Sequence, residues 1–179
     1  DSSTYTFLKS ETMKELFESE IEGCFLYSRH WNPSNKYLSD AISALENSEA
    51  SQITSSGISA IACTILQICE QGDQIISSRT IYGGTYALFK NVLPKFGISV
   101  KFVNILDLSD VKKNINSKTK MLYCESISNP LLDVSDLPGL SKITKKYAIK
   151  LVVDNTFSPM SITPINHGAD IVIHSLTKF

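Results

Sequence analysis

From residue 74 onwards, short β-rich runs alternate with stretches of helical periodicity, and this alternation constrains the fold of the 179-residue chain more than any other feature. Residues 74–78, 99–103, 120–125, 151–154 and 171–174 read as strands, and Val100-Lys101-Phe102-Val103 and Ile171-Val172-Ile173 among them are short and β-rich. Between them, Gly83-Gly84 opens a helix through Leu88, Phe89 and Leu93 ahead of Pro94, residues 109–114 form a short helix, and Asp136 caps one that runs to Lys146. An apolar helix over 58–70, opened by Thr54-Ser55-Ser56-Gly57 and ended by Gly72-Asp73, precedes the first strand. Strands joined through helices require right-handed crossovers and give a mostly parallel sheet covered on both faces, an α/β fold.

The first 35 residues are mixed and polar and form a separate segment, with residues 36–179 as the main domain. Ser10 and Glu11, followed by Met13, Leu16 and Phe17, suggest one short helix. The loop Tyr27-Ser28-Arg29-His30-Trp31-Asn32-Pro33-Ser34 interrupts it, and residues 35–47 are helical again, with Leu38, Ile42 and Leu45 on one face. Asp1, without an initiator Met, and Phe179, directly behind a strand, both read as cut ends.

A formal net charge of −1 gives no electrostatic case for nucleic acid or an anionic membrane, and no apolar run reaches bilayer length. Cys24, Cys63, Cys69 and Cys124 form no Cys-x-x-Cys pair; free buried thiols in a reducing cytosol are expected. His30, His167 and His174 lie far apart in sequence, so no metal site is expected and each reads as structural.

In an open parallel sheet, ligands bind at the carboxyl ends of the strands. Ser56-Gly57-Ile58 enters a helix there and offers unpaired amides to a phosphate, although an ordinary capped turn needs the same residues. Tyr82, ahead of two glycines, can stack on a flat ring or simply pack. Asp154 ends a strand and can pair with a cationic ring nitrogen or cap its own turn. Lys178 can form an imine with a carbonyl cofactor, where most lysines are only solvated. Taken together, these residue types suit pyridoxal phosphate, which needs an imine-forming Lys, an acid at the pyridine nitrogen and a phosphate cradle.

With those residues in view, the chain resembles the Cys/Met-metabolism (transsulfuration) family of pyridoxal-phosphate enzymes. The resemblance rests on Tyr27-Ser28-Arg29 with Asn32-Pro33, Ser56-Gly57-Ile58, Tyr82-Gly83-Gly84-Thr85, Glu125-Ser126 with Asn129-Pro130, Asp154-Asn155-Thr156-Phe157, and His174-Ser175-Leu176-Thr177-Lys178, in that order. It implies a fold-type-I pyridoxal-phosphate domain like that of aspartate aminotransferase, truncated after the Schiff-base lysine and lacking the family's small C-terminal domain. It also implies roles. Lys178 would hold the cofactor and then move protons, Asp154 would pair with the ring nitrogen, and Tyr82 would stack on the ring and assist departure of the γ-substituent. The Gly57 and Ile58 amides and the Ser175 and Thr177 hydroxyls would bind phosphate, and Asn129 would sit near the ring's 3′ oxygen. Tyr27 and Arg29 would reach a neighbouring subunit's phosphate within a homodimer or homotetramer.

Three positions depart from the family's usual pattern: Ile58 stands where Met is frequent, Phe179 where Tyr is common, and Gly84 where bacterial and protozoal methionine γ-lyases carry Cys. Arg29-His30-Trp31-Asn32-Pro33, with Tyr82-Gly83-Gly84-Thr85 and the Lys178-Phe179 ending, looks more like plant-type methionine γ-lyases and related bacterial members. The implied reaction is α,γ-elimination of methionine, with cystathionine synthesis or cleavage and O-acylhomoserine sulfhydrylation as alternatives. A nucleotide-binding module would need a Gly-x-Gly-x-x-Gly turn, and a serine hydrolase a Gly-x-Ser-x-Gly elbow, both absent. A non-catalytic relic or scaffold is the alternative of another class.

Overall fold

The computed structural model describes residues 3–18 and 23–179. The chain divides into two compact units. One comprises the described residues up to Ala44 together with Glu49–Ile53; the other comprises Leu45–Ser48 and Thr54–Phe179.

In the first unit, helix α1 spans Ser10–Phe17 and buries none of its residues. Residue Thr4 pairs with Tyr27 in an isolated antiparallel bridge. Helix α2, Pro33–Glu46, starts at a proline, whose missing N–H costs nothing in a first turn. Asn32 caps it by accepting the Asn35 N–H at 2.9 Å. Its last residues, Leu45 and Glu46, belong to the second unit.

The second unit is built on five parallel strands: β1 (Gln74–Ser78), β2 (Ser99–Val103), β3 (Thr119–Glu125), β4 (Lys150–Asp154) and β5 (Ile171–Ile173). Their order in the sheet is β2-β1-β3-β4-β5. Helices α3 (Gly57–Ile68), α4 (Gly83–Ala87), α5 (Leu108–Lys113) and α6 (Leu137–Tyr147) supply the layers. The strand positions agree with the sequence expectation to within one residue.

Alternation along the strands sends side chains to two separate cores. Leu122, Cys124, Leu151 and Val153 join Val111, Leu137, Leu140 and Ile143 from α5 and α6. Met121, Tyr123, Val152 and Ile173 join Ile61 and Ile65 of α3 and Phe89. In both clusters each fully buried aliphatic or aromatic side chain contributes about 1.5–3 kcal/mol relative to exposure. The same period of two carries Glu125 to the face of Met121 and Tyr123, and Asp154 to the face of Val152. Glu125 and Asp154 are register partners on adjacent strands, so two carboxylates meet at one sheet edge on the α3 side.

Two expectations require correction. The helix opened by Gly83 does not stay α-helical to Pro94: it widens to a π-helical turn over Leu88–Val92 and tightens to a 3₁₀ turn over Leu93–Phe96. Pro94 sits at the start of that tight turn, where it needs no N–H, and Gly97 ends it with φ +73°. Nor are all the thiols buried: Cys63 lies on the exposed side of α3 and Cys24 is half-buried, whereas Cys69 and Cys124 are enclosed. Burial pushes the last two up to about 11 and about 12, so both are held as thiols. Among the described residues, no helix is long and apolar enough to cross a membrane.

Candidate active site

The strand order reverses between β1 and β3, and at such a switch point the loops leaving the carboxyl ends splay apart to leave a crevice. A cavity of about 360 Å³, within the range of small-molecule sites, opens at this edge. Its lining brings together eight of the ten residues singled out from sequence: Gly57, Ile58, Tyr82, Asn129, Asp154, Ser175, Thr177 and Lys178. The other two, Tyr27 and Arg29, belong to the first unit. There the Arg29 guanidinium stacks 5.1 Å from the Tyr27 ring centroid and donates from Nη2 to the Tyr27 hydroxyl at 3.2 Å.

One wall is the N-terminus of α3. Ser56 caps the helix, accepting the Ser59 N–H on Oγ at 3.1 Å and the Ala60 N–H on its carbonyl at 2.9 Å. The Gly57 and Ile58 amides come before these bonds and have no partner among the described residues. Gly57 must be glycine for reasons of space: a Cβ there would stand 2.8 Å from Ser175 Cβ and 3.1 Å from Ser175 Oγ. The loop after β5 thus packs directly onto the helix N-terminus. In that loop Ser175 Oγ and Thr177 Oγ1 lie 2.9 Å apart, and Lys178 Nζ donates to Thr177 Oγ1 at 3.3 Å. Two amides and two hydroxyls therefore converge beside one amine.

The lining also carries two acids, Asp154 and Glu125. Asp154 accepts the Thr156 N–H on Oδ1 at 2.9 Å and the Tyr123 hydroxyl on Oδ2 at 3.1 Å. The first bond is the local turn anticipated from the Asp-Asn pair, so the carboxylate caps its own turn and also faces the cavity. Tyr123 is fully buried and packs edge-on against Phe89 at 5.1 Å. Burial, reinforced by the charges of Asp154 and Glu125, holds its hydroxyl well above the usual phenol range, so it stays a donor.

Glu125 was not singled out as a site residue from sequence, yet it lines the same cavity. Its Oε1 accepts the Tyr82 N–H at 2.6 Å and its Oε2 accepts the Asn129 N–H at 3.1 Å. Burial pushes its carboxyl up to about 7; the two amide bonds oppose that rise and the Asp154 charge adds to it. Only its place in the Glu125-Ser126/Asn129-Pro130 pattern marked it in the sequence. Tyr82 is 53% exposed and therefore open to a ligand. Its ring lies against Gly84, where a Cβ would meet ring atom Cε1 at 2.5 Å.

Behind the cavity lies a second feature that local sequence could not reveal. Glu46, from the end of α2, accepts from His174 Nε2 at 2.6 Å and from Asn155 Nδ2 at 3.1 Å. His174 and Asn155 adjoin Ser175 and Asp154 in the chain, so this buried cluster braces the two site-bearing loops. The expectation that His174 is structural agrees with this placement.

A family model described as Cys/Met metabolism PLP-dependent enzyme matches residues 1–179. Among curated relatives, methionine gamma-lyase of Arabidopsis thaliana is 42% identical over 183 residues, covering 99% of this chain and 42% of that protein. O-acetyl-L-homoserine sulfhydrylase of Leptospira meyeri is 41% identical over 177 residues, covering 98% of this chain and 40% of that protein. Among solved structures, a putative O-acetylhomoserine (thiol)-lyase from Campylobacter jejuni, described with N'-pyridoxyl-lysine-5'-monophosphate, superposes with a TM-score of 0.91. It is 31% identical, and the match covers 99% of this chain and 44% of that one. The chain therefore spans about two fifths of the length of the relatives it matches.

Proposed function

Because the chain belongs to the Cys/Met-metabolism PLP-dependent enzymes, a fold-type-I family whose cofactor is pyridoxal phosphate, we propose that it forms the cofactor-holding part of a methionine γ-lyase. The reaction is elimination from methionine to methanethiol, 2-oxobutanoate and ammonia. The observation that carries the reading is the meeting of Lys178 and Asp154 in one cavity with a row of phosphate-suited donors.

The residues present fit the cofactor by their donor set. The Gly57 and Ile58 amides, at the positive end of α3, and the Ser175 and Thr177 hydroxyls suit a phosphate dianion. Glycine at 57, where a Cβ would stand 2.8 Å from Ser175 Cβ, lets the Ser175 loop lie directly beside these amides. When bound, pyridoxal phosphate supplies an aldehyde for imine formation and a ring that withdraws charge from the substrate's Cα. The Asp154 carboxylate would pair with the ring nitrogen and favour its protonated form, while the Tyr123 hydroxyl keeps that carboxylate oriented. Tyr82 would cover the ring face, and Asn129 would meet the ring's 3′ oxygen. Lys178 Nζ would anchor the cofactor and would serve as the base for the proton on the substrate's Cα. The Tyr82 hydroxyl would protonate the departing γ-substituent.

Residues 1–35 act as an arm, and Tyr27 and Arg29 reach the cofactor phosphate of a neighbouring subunit in a cytoplasmic dimer or tetramer. An Arg with a neighbouring Tyr hydroxyl suits an exposed phosphate edge. Replacement at Cγ of O-acylhomoserine is the second reading, supported by the sulfhydrylase relatives at nearly equal identity.

Product analysis of the full-length protein separates the two readings. Methanethiol and 2-oxobutanoate from methionine support elimination, whereas turnover only of O-acetylhomoserine with sulfide overturns it. In Lys178→Ala, the visible absorbance of the covalently held cofactor should vanish; a retained band refutes the assignment of Lys178.

A further inference from the structure

The roles proposed above leave one buried carboxylate of the cavity without a task. Glu125 is 7% exposed and sits at the end of β3, beside Asp154. Burying a charge there is unfavourable, and a second acid next to Asp154 makes it more so. Its two oxygens diverge to two backbone amides, 2.6 Å to Tyr82 and 3.1 Å to Asn129. Tyr82 is the residue directly before α4, and Asn129 lies in the loop after β3. These two loops flank the switch point between β1 and β3, and among the described residues this carboxylate is bonded to both.

The residue type follows from the geometry. A carboxylate presents two acceptors and no donor, so it can take one N–H on each side. Glutamine has nearly the same shape but only one acceptor, and its NH₂ would face the second amide as donor against donor. Aspartate keeps both acceptors but is one methylene too short to span the same gap.

We propose that Glu125 is a positioning residue whose carboxylate clamps the Tyr82 loop to the Asn129 loop, holding both residues in place at the cofactor cavity. The proposal rests on the reading that Tyr82 and Asn129 meet the cofactor.

The test uses the full-length protein with Glu125→Gln, without and with cofactor. In the cofactor-free protein, the Tyr82 and Asn129 amides should be protected from hydrogen exchange. Glu125→Gln should speed exchange of at least one of them by roughly tenfold, the loss of one charge-assisted bond, while amides within β1 and β3 keep their rates. In the loaded enzyme, cofactor absorbance should persist while kcat falls roughly tenfold. In a Tyr82→Ala background there is no ring left to position, so the same substitution should cost less than about threefold more, a non-additivity that general destabilisation would not produce. Unprotected Tyr82 or Asn129 amides in the unsubstituted protein overturn the clamp, even if the variant does not fold. Fully multiplicative losses in the double variant overturn its action through Tyr82. If the unsubstituted protein takes up no pyridoxal phosphate, the functional reading fails, and the exchange result still reports on the clamp itself.

Discussion

Replacing Glu125 by Gln should alter how the stability of the fold depends on pH, because the wild-type carboxyl releases its proton at different pH in the folded and unfolded chain. In the unfolded chain it titrates near its ordinary value of 4.5; in the fold, burial raises it to about 7. Between those values the folded protein binds more protons than the unfolded one, so stability falls as pH rises. The contribution is fully present below the unfolded value and is lost as pH passes the folded one. At about 1.4 kcal/mol per pH unit, the shift corresponds to roughly 3 kcal/mol across this window. Glutamine does not ionise and carries no such term. Urea unfolding of the cofactor-free full-length protein at about pH 5 and about pH 8 measures it as the change in the wild-type-minus-variant difference. The difference should move against the wild type by about 2–3 kcal/mol on going to the higher pH. Curves that stay parallel to within about 0.5 kcal/mol would refute the buried-charge account. The variant should therefore gain relative stability at alkaline pH while losing control of the Tyr82 loop, a trade expected where a charge serves position rather than packing.

Gly57→Ala should weaken pyridoxal phosphate binding about tenfold or more in equilibrium titration, because the new Cβ would lie 2.8 Å from Ser175 Cβ and force the loop after β5 away. Unchanged affinity would show that this loop does not bear on the phosphate. His174→Ala should destabilise the fold by about 3 kcal/mol in chemical denaturation, since it removes a 2.6 Å partner from a carboxylate whose second oxygen is already buried without one among the described residues. A loss below about 1 kcal/mol would show that Glu46 is satisfied another way.

Much of this protein is written locally. The strands follow from runs such as Val100-Lys101-Phe102-Val103, because a β-rich run between turn residues is favourable only when its two faces are covered. The Asp136 cap is equally legible: its carboxylate accepts the Gly139 N–H at 3.0 Å, a bond made within one turn of chain. Eight residues of the cavity could be named from sequence because they stand in the motifs of a known family, and all of those motifs but Ser56-Gly57-Ile58 sit at or after a strand end that parallel topology brings to one edge. What depends on distant parts of the chain was not legible. Cys63 and Cys69 occupy the same apolar segment, and packing alone decides that the first faces out and the second in. The widening of the helix over Leu88–Val92 has no local signal, and Glu46 meets His174 across 128 residues. Glu125 shows the division most clearly. Its position at a strand end is local, but its partners are two amides, and every residue except proline carries one. Periodicity and motif record which side chains a strand presents; the distances at which backbone groups meet them exist only once the sheet has formed.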